Sequence, residues 1–479
     1  MTDDGIVLTK GQQVALDRIK DFINSDSQRV FILTGYAGTG KSTLTRRVIN
    51  VLQEKKERFF LLASTGRAAK IIRDITRSQT VNTVHGLIYK YDGFNQNLDE
   101  IVDSRSKGQA DDSGQLFLRF KLTSVDKALD KGQCFYIVDE ASMISDEPEK
   151  CLTQAMFGTG RLLNDLMQYD SEGKFLFIGD SCQLPPVNQS YSPALTPEYF
   201  KREFSIDAQS AVLTEVMRQQ DGNDIVWASK ELRRLYRNPQ PWKWAKFPLR
   251  GYKNIHLLNN QAELIEKYID RYRRFGMNDC TYIGLSNRQC DTVTKIIRPA
   301  LGLVQPNISV GDLLLVTQNN FVSGLMNGDI VKVTSVVNQE TRAGLTFLKV
   351  TVQETITGRE HTQLMIADIV YSNQTNLTQS QQKDLFIDFC IRMRNFKIKY
   401  NTPQFNAKML DDPYLNALRA VYGFALTCHK TQGGEWDNVF LDLPRNIGLQ
   451  PKPYVYQWVY TAMTRAKKDL YIVDDFYIE

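Results

Sequence analysis

The sequence predicts an α/β protein with two parallel-sheet domains, each interrupted by an insertion. Short, nearly continuous apolar runs alternate with helix-like segments in two separate sets. Strands that are apolar along their whole length belong to sheets covered on both faces. At 479 residues the chain exceeds one ordinary domain, and this length suggests two to four.

The first set is RVFILTG (29–35), RFFLLAST (58–65), QCFYIVDEAS (133–142) and KFLFIGD (174–180). The second is CTYIGLSN (280–287), VYGFALTCHK (421–430), NVFLDL (438–443) and DLYIVDD (469–475). Between 89 and 130 the chain passes through the acidic, glycine-containing DSRSKGQADDSG to QLFLRFKLT, the pattern of a protruding strand pair. Between 306 and 412, VGDLLLVTQNN, NGDIVKVTSVV and LTFLKVTVQ are short strands separated by turn residues, as in a small β-barrel. The expected layout is a first domain at 1–88 and 131–215 with an insertion at 89–130. The second domain then occupies 216–305 and 413–479 with an insertion at 306–412.

Composition narrows the class. The chain is 42% hydrophobic and 24% charged, as soluble globular proteins are. Its net charge of +5, from 59 basic and 54 acidic side chains, is close to neutral for the length, so a nucleic-acid face must be local. Seven scattered cysteines without a C-x-x-C pair fit a reducing compartment better than a disulfide framework. Four histidines, none at metal-ligand spacing with another ligand, argue against a zinc site. The polar, acidic start is unlike a signal peptide, and no run of about eighteen apolar residues exists to span a membrane. The expectation is an intracellular soluble protein, cytoplasmic or nucleoid-associated.

GYAGTGKS (35–42) matches G-x-x-x-x-G-K-[ST] in full, follows an apolar strand and precedes a helical segment. Glycines let backbone N–H groups close on phosphates, and the helix start adds its positive dipole end. Candidate nucleotide-binding residues are therefore Gly35, Gly38, Thr39, Gly40, Lys41, Ser42 and Thr43. Lys41 would reach the β and γ phosphates of ATP, and Ser42 would hold Mg²⁺. In YIVDEAS (136–142), Asp139 is assigned to Mg²⁺ and Glu140 to the base that polarises water. In IGDSCQLPPV (178–187), Gln183 is placed to sense the γ-phosphate or orient water.

This string of motifs resembles the superfamily 1 helicases, and within them the Dda/RecD-like 1B branch. The resemblance spans nearly the whole chain and implies two RecA-like domains, a pin-like hairpin at 89–130 and an SH3-like module at 306–412. LTKGQQVAL (8–16) resembles the glutamine motif, with Gln12 reading adenine. LTEVMRQ (213–219) resembles the motif whose arginine, Arg218, meets the γ-phosphate, and VYTAMTRAKKDLYI (459–472) the one whose arginine finger is Arg465. LTCHKTQGGEWDNVF (426–440) resembles the coupling motif, with Gln432 as the coupling residue and Glu435 as a nucleotide contact. STGRAAK (64–70) and TVNTVHG (80–86) resemble backbone-gripping motifs. The DNA-binding candidates are accordingly Thr65, Arg67, His85, His429 and Thr431, with Phe94 at the pin tip to stack on a base pair. By residue type His85 and His429 read equally well as satisfied loop histidines, and 89–130 as an ordinary hairpin with buried aromatics. Tyr36 departs from the family pattern, in which proline is common.

The resemblance implies ATP-dependent 5′→3′ unwinding by a monomer, with ATP and Mg²⁺ as cofactors. Its partners would be single-stranded DNA and its junctions with duplex. A single-strand-binding protein and replication or recombination factors are candidate protein partners. A nucleotide-gated clamp that does not translocate is one alternative reading. An RNA helicase of the Upf-like type is another, although the Cys/His-rich modules frequent there are absent from the sequence.

Overall fold

The computed structural model describes residues 7–76, 81–106, 115–125, 133–148, 155–217, 223–241, 243–320, 322–372, 374–400 and 402–479. Its first sheet has six parallel strands in the spatial order Val81–Thr83, Arg58–Ala63, Cys134–Asp139, Lys174–Gly179, Val30–Gly35, Gln209–Leu213. Successive side chains of a strand point to opposite faces. Phe31 and Leu33 accordingly join Ile19, Phe22, Leu44 and Val48 on one face. Val30 and Ile32 join Leu163, Leu166, Phe177 and Phe200 on the other. Both faces are dry, which is why these strands read as continuous apolar runs.

The second sheet is also parallel, with the order Ile255–Leu258, Ala466–Val473, Trp436–Leu441, Cys280–Gly284, Ala425–Thr427. Helices Ile225–Arg237 and Lys452–Met463 cover one side, where Leu232, Val459 and Met463 meet Val439 and Ile472. Helices Gln261–Phe275 and Asn287–Ala300 cover the other, with Tyr268 and Val293 against Tyr282 and Phe440. The C-terminal stretch of the chain thus supplies interior strands of a sheet whose edge comes from residues near 255.

A third sheet is antiparallel, in the order Glu360–Ile366, Leu345–Glu354, Ile330–Arg342, Leu313–Val316, Ala420–Tyr422. It extends past the expected limit at 412. The run 421–430, expected as one strand, is two: Ala420–Tyr422 pairs with Leu313–Val316, and Ala425–Thr427 pairs with Cys280–Gly284. Gly423 lies at the crossing, where an added Cβ would sit 3.1 Å from the Leu314 backbone. A side chain there would crowd the Leu314 backbone, and glycine relieves that close passage from one sheet to the next.

A fourth sheet joins Tyr89–Phe94 to Leu118–Leu122 antiparallel, and Leu118–Leu122 to Ala155–Phe157 in parallel. The insertion therefore recruits a strand from beyond 130. The structure also corrects the expectation for Phe94. It is 7% exposed and packs edge-on against Phe386 at 5.2 Å, within a core that includes Leu98, Ile101, Leu385 and Phe389. Buried against helix Gln379–Asn395, its ring is not free to stack on a base pair. Among the described residues no helix is long and apolar enough to cross a membrane.

Candidate nucleotide site and its links to the second lobe

The phosphate loop joins strand Val30–Gly35 to helix Lys41–Glu54. Gly38 (φ 77°) and Gly40 (φ 78°) take left-handed conformations that side chains disfavour. No side chain caps the helix at Gly40, so its first N–H groups remain for an anion. The Lys41 ammonium donates to Gly35 O (2.7 Å) and Tyr36 O (3.1 Å). These carbonyl oxygens occupy the role that phosphate oxygens would take. Ser42 is exposed and Thr43 half-buried in the first helical turn. Thr39 braces the loop by donating its hydroxyl to Tyr36 O at 2.8 Å.

Gln12 differs from its expected role. It is 3% exposed, its amide nitrogen donates to Thr39 O (3.0 Å), and its amide oxygen accepts from Thr9 N (3.0 Å). Both ends are occupied, one by the loop and one by the capping box of helix Lys10–Asn24. In this structure Gln12 supports the phosphate loop rather than presenting an edge to adenine. An added Cβ at Gly40 would lie 2.3 Å from the Gln12 nitrogen, so this support depends on the glycine.

Asp139 and Glu140 stand at the end of strand Cys134–Asp139. Burial, and the neighbouring Glu140 carboxylate after it, push the Asp139 carboxyl above its ordinary range, while Lys41 opposes the rise. Glu140 has φ 50°, a left-handed backbone on a non-glycine residue, which is the kind of local strain that concentrates at working sites. The Ser42 hydroxyl and Asp139 carboxylate are hard oxygen donors that suit Mg²⁺. A cation there would relieve the crowded negative charge that raises Asp139. Gln183 is 4% exposed and its amide oxygen is buried with no hydrogen-bond partner among the described residues.

The loop after strand Lys174–Gly179 is held from the other lobe. Tyr460, on helix Lys452–Met463, donates its hydroxyl to Asp180 Oδ2 (2.6 Å) and accepts from the phosphate-loop Ala37 N (3.2 Å). The Thr461 hydroxyl accepts from Leu184 N at 2.9 Å. The Gln457 and Gln432 amide nitrogens donate to Gln183 O and Leu184 O, each at 3.2 Å. Gln432 therefore bridges the two lobes. Sequence reasoning passes over Asp180, Gln457, Tyr460 and Thr461. The apolar setting of WVYTAM conceals the last two.

Arg465 is 4% exposed, and its guanidinium donates to Thr461 O (3.0 Å) and Gly434 O (3.3 Å) of its own lobe. Its neighbour Thr464 lines a narrow slot together with the phosphate-loop Ala37. Arg218 lies outside the described residues. Met217, just before it, donates its N–H to Gly38 O at 2.9 Å, so that segment is attached to the phosphate loop. Glu435 is exposed at the head of strand Trp436–Leu441.

The DNA-binding candidates divide. Thr65 is half-buried and its hydroxyl accepts from Ala68 N (3.2 Å), capping helix Gly66–Thr76. Arg67 is turned inward at 7% exposure, with its guanidinium 5.0 Å over the Trp436 ring and bonded to Gly328 O (3.4 Å). Burial lowers it to about 10, opposed by Asp329 and reinforced by Arg465. It joins three parts of the molecule and is not a surface phosphate contact here. Gly434 makes room for it, since an added Cβ would lie 2.8 Å from the Arg67 Nη2. Thr431 is fully buried and donates to Cys428 O (2.7 Å), which removes it as a backbone contact. His85 packs against Tyr89 and Phe157 (5.7 and 5.2 Å), and burial lowers it to about 4, so it is neutral at physiological pH. His429 is half-buried and shifted down for the same reason.

Comparison with known proteins adds family and fold. Residues 7–238 match the AAA domain family, and residues 422–473 match the UvrD-like helicase C-terminal domain. An uncharacterised protein of Methanocaldococcus jannaschii is 21% identical over 94% of this chain; the chain spans only 37% of that relative's length. The ATP-dependent RecD2 DNA helicase of Deinococcus radiodurans is 27% identical over 47% of this chain and 24% of its own. Among solved structures, Pif1 helicase from Bacteroides in complex with ADP-AlF3 and ssDNA superposes with a TM-score of 0.50. It covers 98% of this chain and 93% of that one at 15% identity, a likeness of fold.

Proposed function

We propose that the chain is a superfamily 1B helicase of the Dda/RecD-like type, as its AAA and UvrD-like C-terminal matches and its RecD2 relative support, and that it is an ATP-driven DNA helicase moving 5′→3′ on single-stranded DNA. The observation that carries this reading is the set of hydrogen bonds from the second lobe into the phosphate loop and the 180–184 loop. A nucleotide site built across two lobes ties the state of the nucleotide to the separation of the lobes, which is the requirement for a motor stroke. The polarity follows from the branch, and DNA as substrate follows from the RecD2 relative.

In this reading Lys41 and the helix start bind the β and γ phosphates, and Glu140 takes a proton from the attacking water. Gln183 orients that water. Arg218 and Arg465 stabilise charge on the transferring phosphoryl group, Arg465 by leaving Thr461 and Gly434 as the cleft tightens. Ser42 and Asp139 would hold Mg²⁺, which supplies charge neutralisation between the phosphates. Thr65 and His429 remain as candidate strand contacts. The hairpin at 89–130 acts as a pin and the third sheet as an SH3-like module against which it is braced. The protein acts as a monomer in the cytoplasm or on the nucleoid.

The test is strand displacement on two matched partial duplexes, one with a 5′ tail and one with a 3′ tail. Unwinding from the 5′ tail alone is expected. Unwinding from the 3′ tail alone would overturn the polarity. DNA-stimulated hydrolysis without unwinding of either would make a clamp, or an RNA substrate, the better reading.

A further inference from the structure

Tyr36 follows the first glycine of the phosphate loop, and its side chain is buried in a cluster formed mostly by the second lobe. It is 8% exposed and lies in the second lobe's core with Ala228, Leu232 and Tyr460. Two arginines one turn apart on helix Ile225–Arg237 hold it. The Arg233 guanidinium carbon is 3.8 Å from the ring centroid, and Arg237 donates to the phenol oxygen. Arg233 is itself 6% exposed and has no ion pair among the described residues. A buried cation needs an electrostatic partner, and the faces of Tyr36 and, at 5.9 Å, Tyr460 provide it.

The backbone of Tyr36 is held as firmly as its ring. Its carbonyl accepts from Thr39 N (3.2 Å), Thr39 Oγ1 (2.8 Å) and Lys41 Nζ (3.1 Å). Any displacement of Tyr36 therefore shifts the carbonyl that organises the residues expected to grip phosphate. A proline, common here in the family that the chain resembles, could neither reach the arginine pair nor accept a bond from Arg237.

We propose that Tyr36 is a positioning residue that ties the phosphate loop to helix Ile225–Arg237, so that opening the cleft draws on the loop that holds the product. The proposal rests on the reading of the chain as an ATPase. Its consequence is kinetic: ADP leaves when the lobes separate, and the tie opposes that separation. Weakening it speeds ADP release.

The experiment is stopped-flow release of N-methylanthraniloyl-ADP from the full chain into excess ATP, for wild type, Tyr36→Phe, Arg237→Met, their double variant and Tyr36→Ala. Tyr36→Phe keeps the ring and loses only the bond to Arg237. We expect it and Arg237→Met each to speed release about three- to tenfold, in line with one net hydrogen bond. The double variant should be no faster than either single one, because both remove the same contact. Tyr36→Ala, which also removes the stack on Arg233, should be faster still. Release within twofold of wild type in both single variants, or effects that multiply in the double, would overturn the tie. A wild-type chain that binds no nucleotide would overturn the ATPase reading and this inference with it. A chain that binds and hydrolyses ATP yet releases ADP unchanged in the variants would overturn the tie alone.

Discussion

The phosphate loop and the expected nucleic-acid contacts are both marked by short motifs, yet the folded chain treats them differently. The loop residues find their partners within the loop: Gly38 and Gly40 bend left-handed and the Lys41 ammonium donates to the carbonyl oxygens of Gly35 and Tyr36. Of the nucleic-acid candidates, Arg67, Thr431 and Phe94 face inward, Arg67 and Phe94 toward another segment of the molecule and Thr431 onto its own helical turn at Cys428 O. A motif whose partners lie within itself carries its geometry with it. One whose partners lie in another lobe states a residue type and leaves the direction to tertiary packing.

The comparison is broken most directly at the loop. Lys41→Ala should lower ATP hydrolysis by roughly 10³-fold or more while leaving single-strand affinity within about threefold, because the bonds Lys41 makes stay within the phosphate loop. Loss of both in the same variant would mean that the loop also supports the nucleic-acid face. Arg465→Ala should reduce the single-turnover rate about 10²- to 10³-fold with nucleotide affinity little changed. Turnover near wild type would return Arg465 to the structural role that its bonds to Thr461 O and Gly434 O already describe.

Much of the first lobe is legible in the sequence because its strands are dry on both faces and its site residues cluster at strand ends. Strands Gln209–Leu213 and Ile255–Leu258 are not. QSAVL opens on two polar residues and IHLL is only four residues long with a histidine in it, so neither reads as a continuous apolar run. The run 421–430 reads as one strand because Gly423 marks a change of sheet that no hydropathy pattern encodes. The motif around Gln12 implies an adenine contact, and only the position of Thr39 O shows where its amide goes. Tyr460 is invisible for the opposite reason: surrounded by apolar residues it reads as core, and it is core, with one hydroxyl joining Asp180 to the phosphate loop.

That hydroxyl sharpens the comparison, since it lets the second lobe touch the loop directly. Tyr460→Phe keeps the ring buried and deletes both bonds, leaving Asp180 Oδ2 and Ala37 N without that partner. We expect kcat to fall about tenfold with KM for ATP changed less than threefold. Equal changes in the two constants would make Tyr460 a ground-state binding group instead. Arg67→Gln tests the inward-facing class. It should lower DNA-stimulated turnover about fivefold, through loss of the stack on Trp436, with single-strand affinity within about twofold. A tenfold loss of affinity with turnover intact would restore Arg67 as a strand contact.

The smallest effect belongs to His85. Burial lowers its folded value to about 4, below the ordinary histidine value of 6.5. Between these limits the unfolded chain binds more protons than the folded one, so this residue's contribution to stability is complete above pH 6.5 and is lost as pH falls toward 4. His85→Gln cannot take up that proton. Its melting temperature should therefore fall less steeply than that of wild type from pH 7 to pH 5, by about 2 °C across the interval. The same variant should bind single-stranded DNA with unchanged affinity at pH 7.5, where a neutral ring packed between Tyr89 and Phe157 offers no charge to a phosphate. If affinity drops at pH 7.5 while the pH slope of stability matches wild type, His85 is exposed in the working state. His85 would then join Thr65 and His429 as a candidate strand contact, apart from the inward-facing Arg67, Thr431 and Phe94.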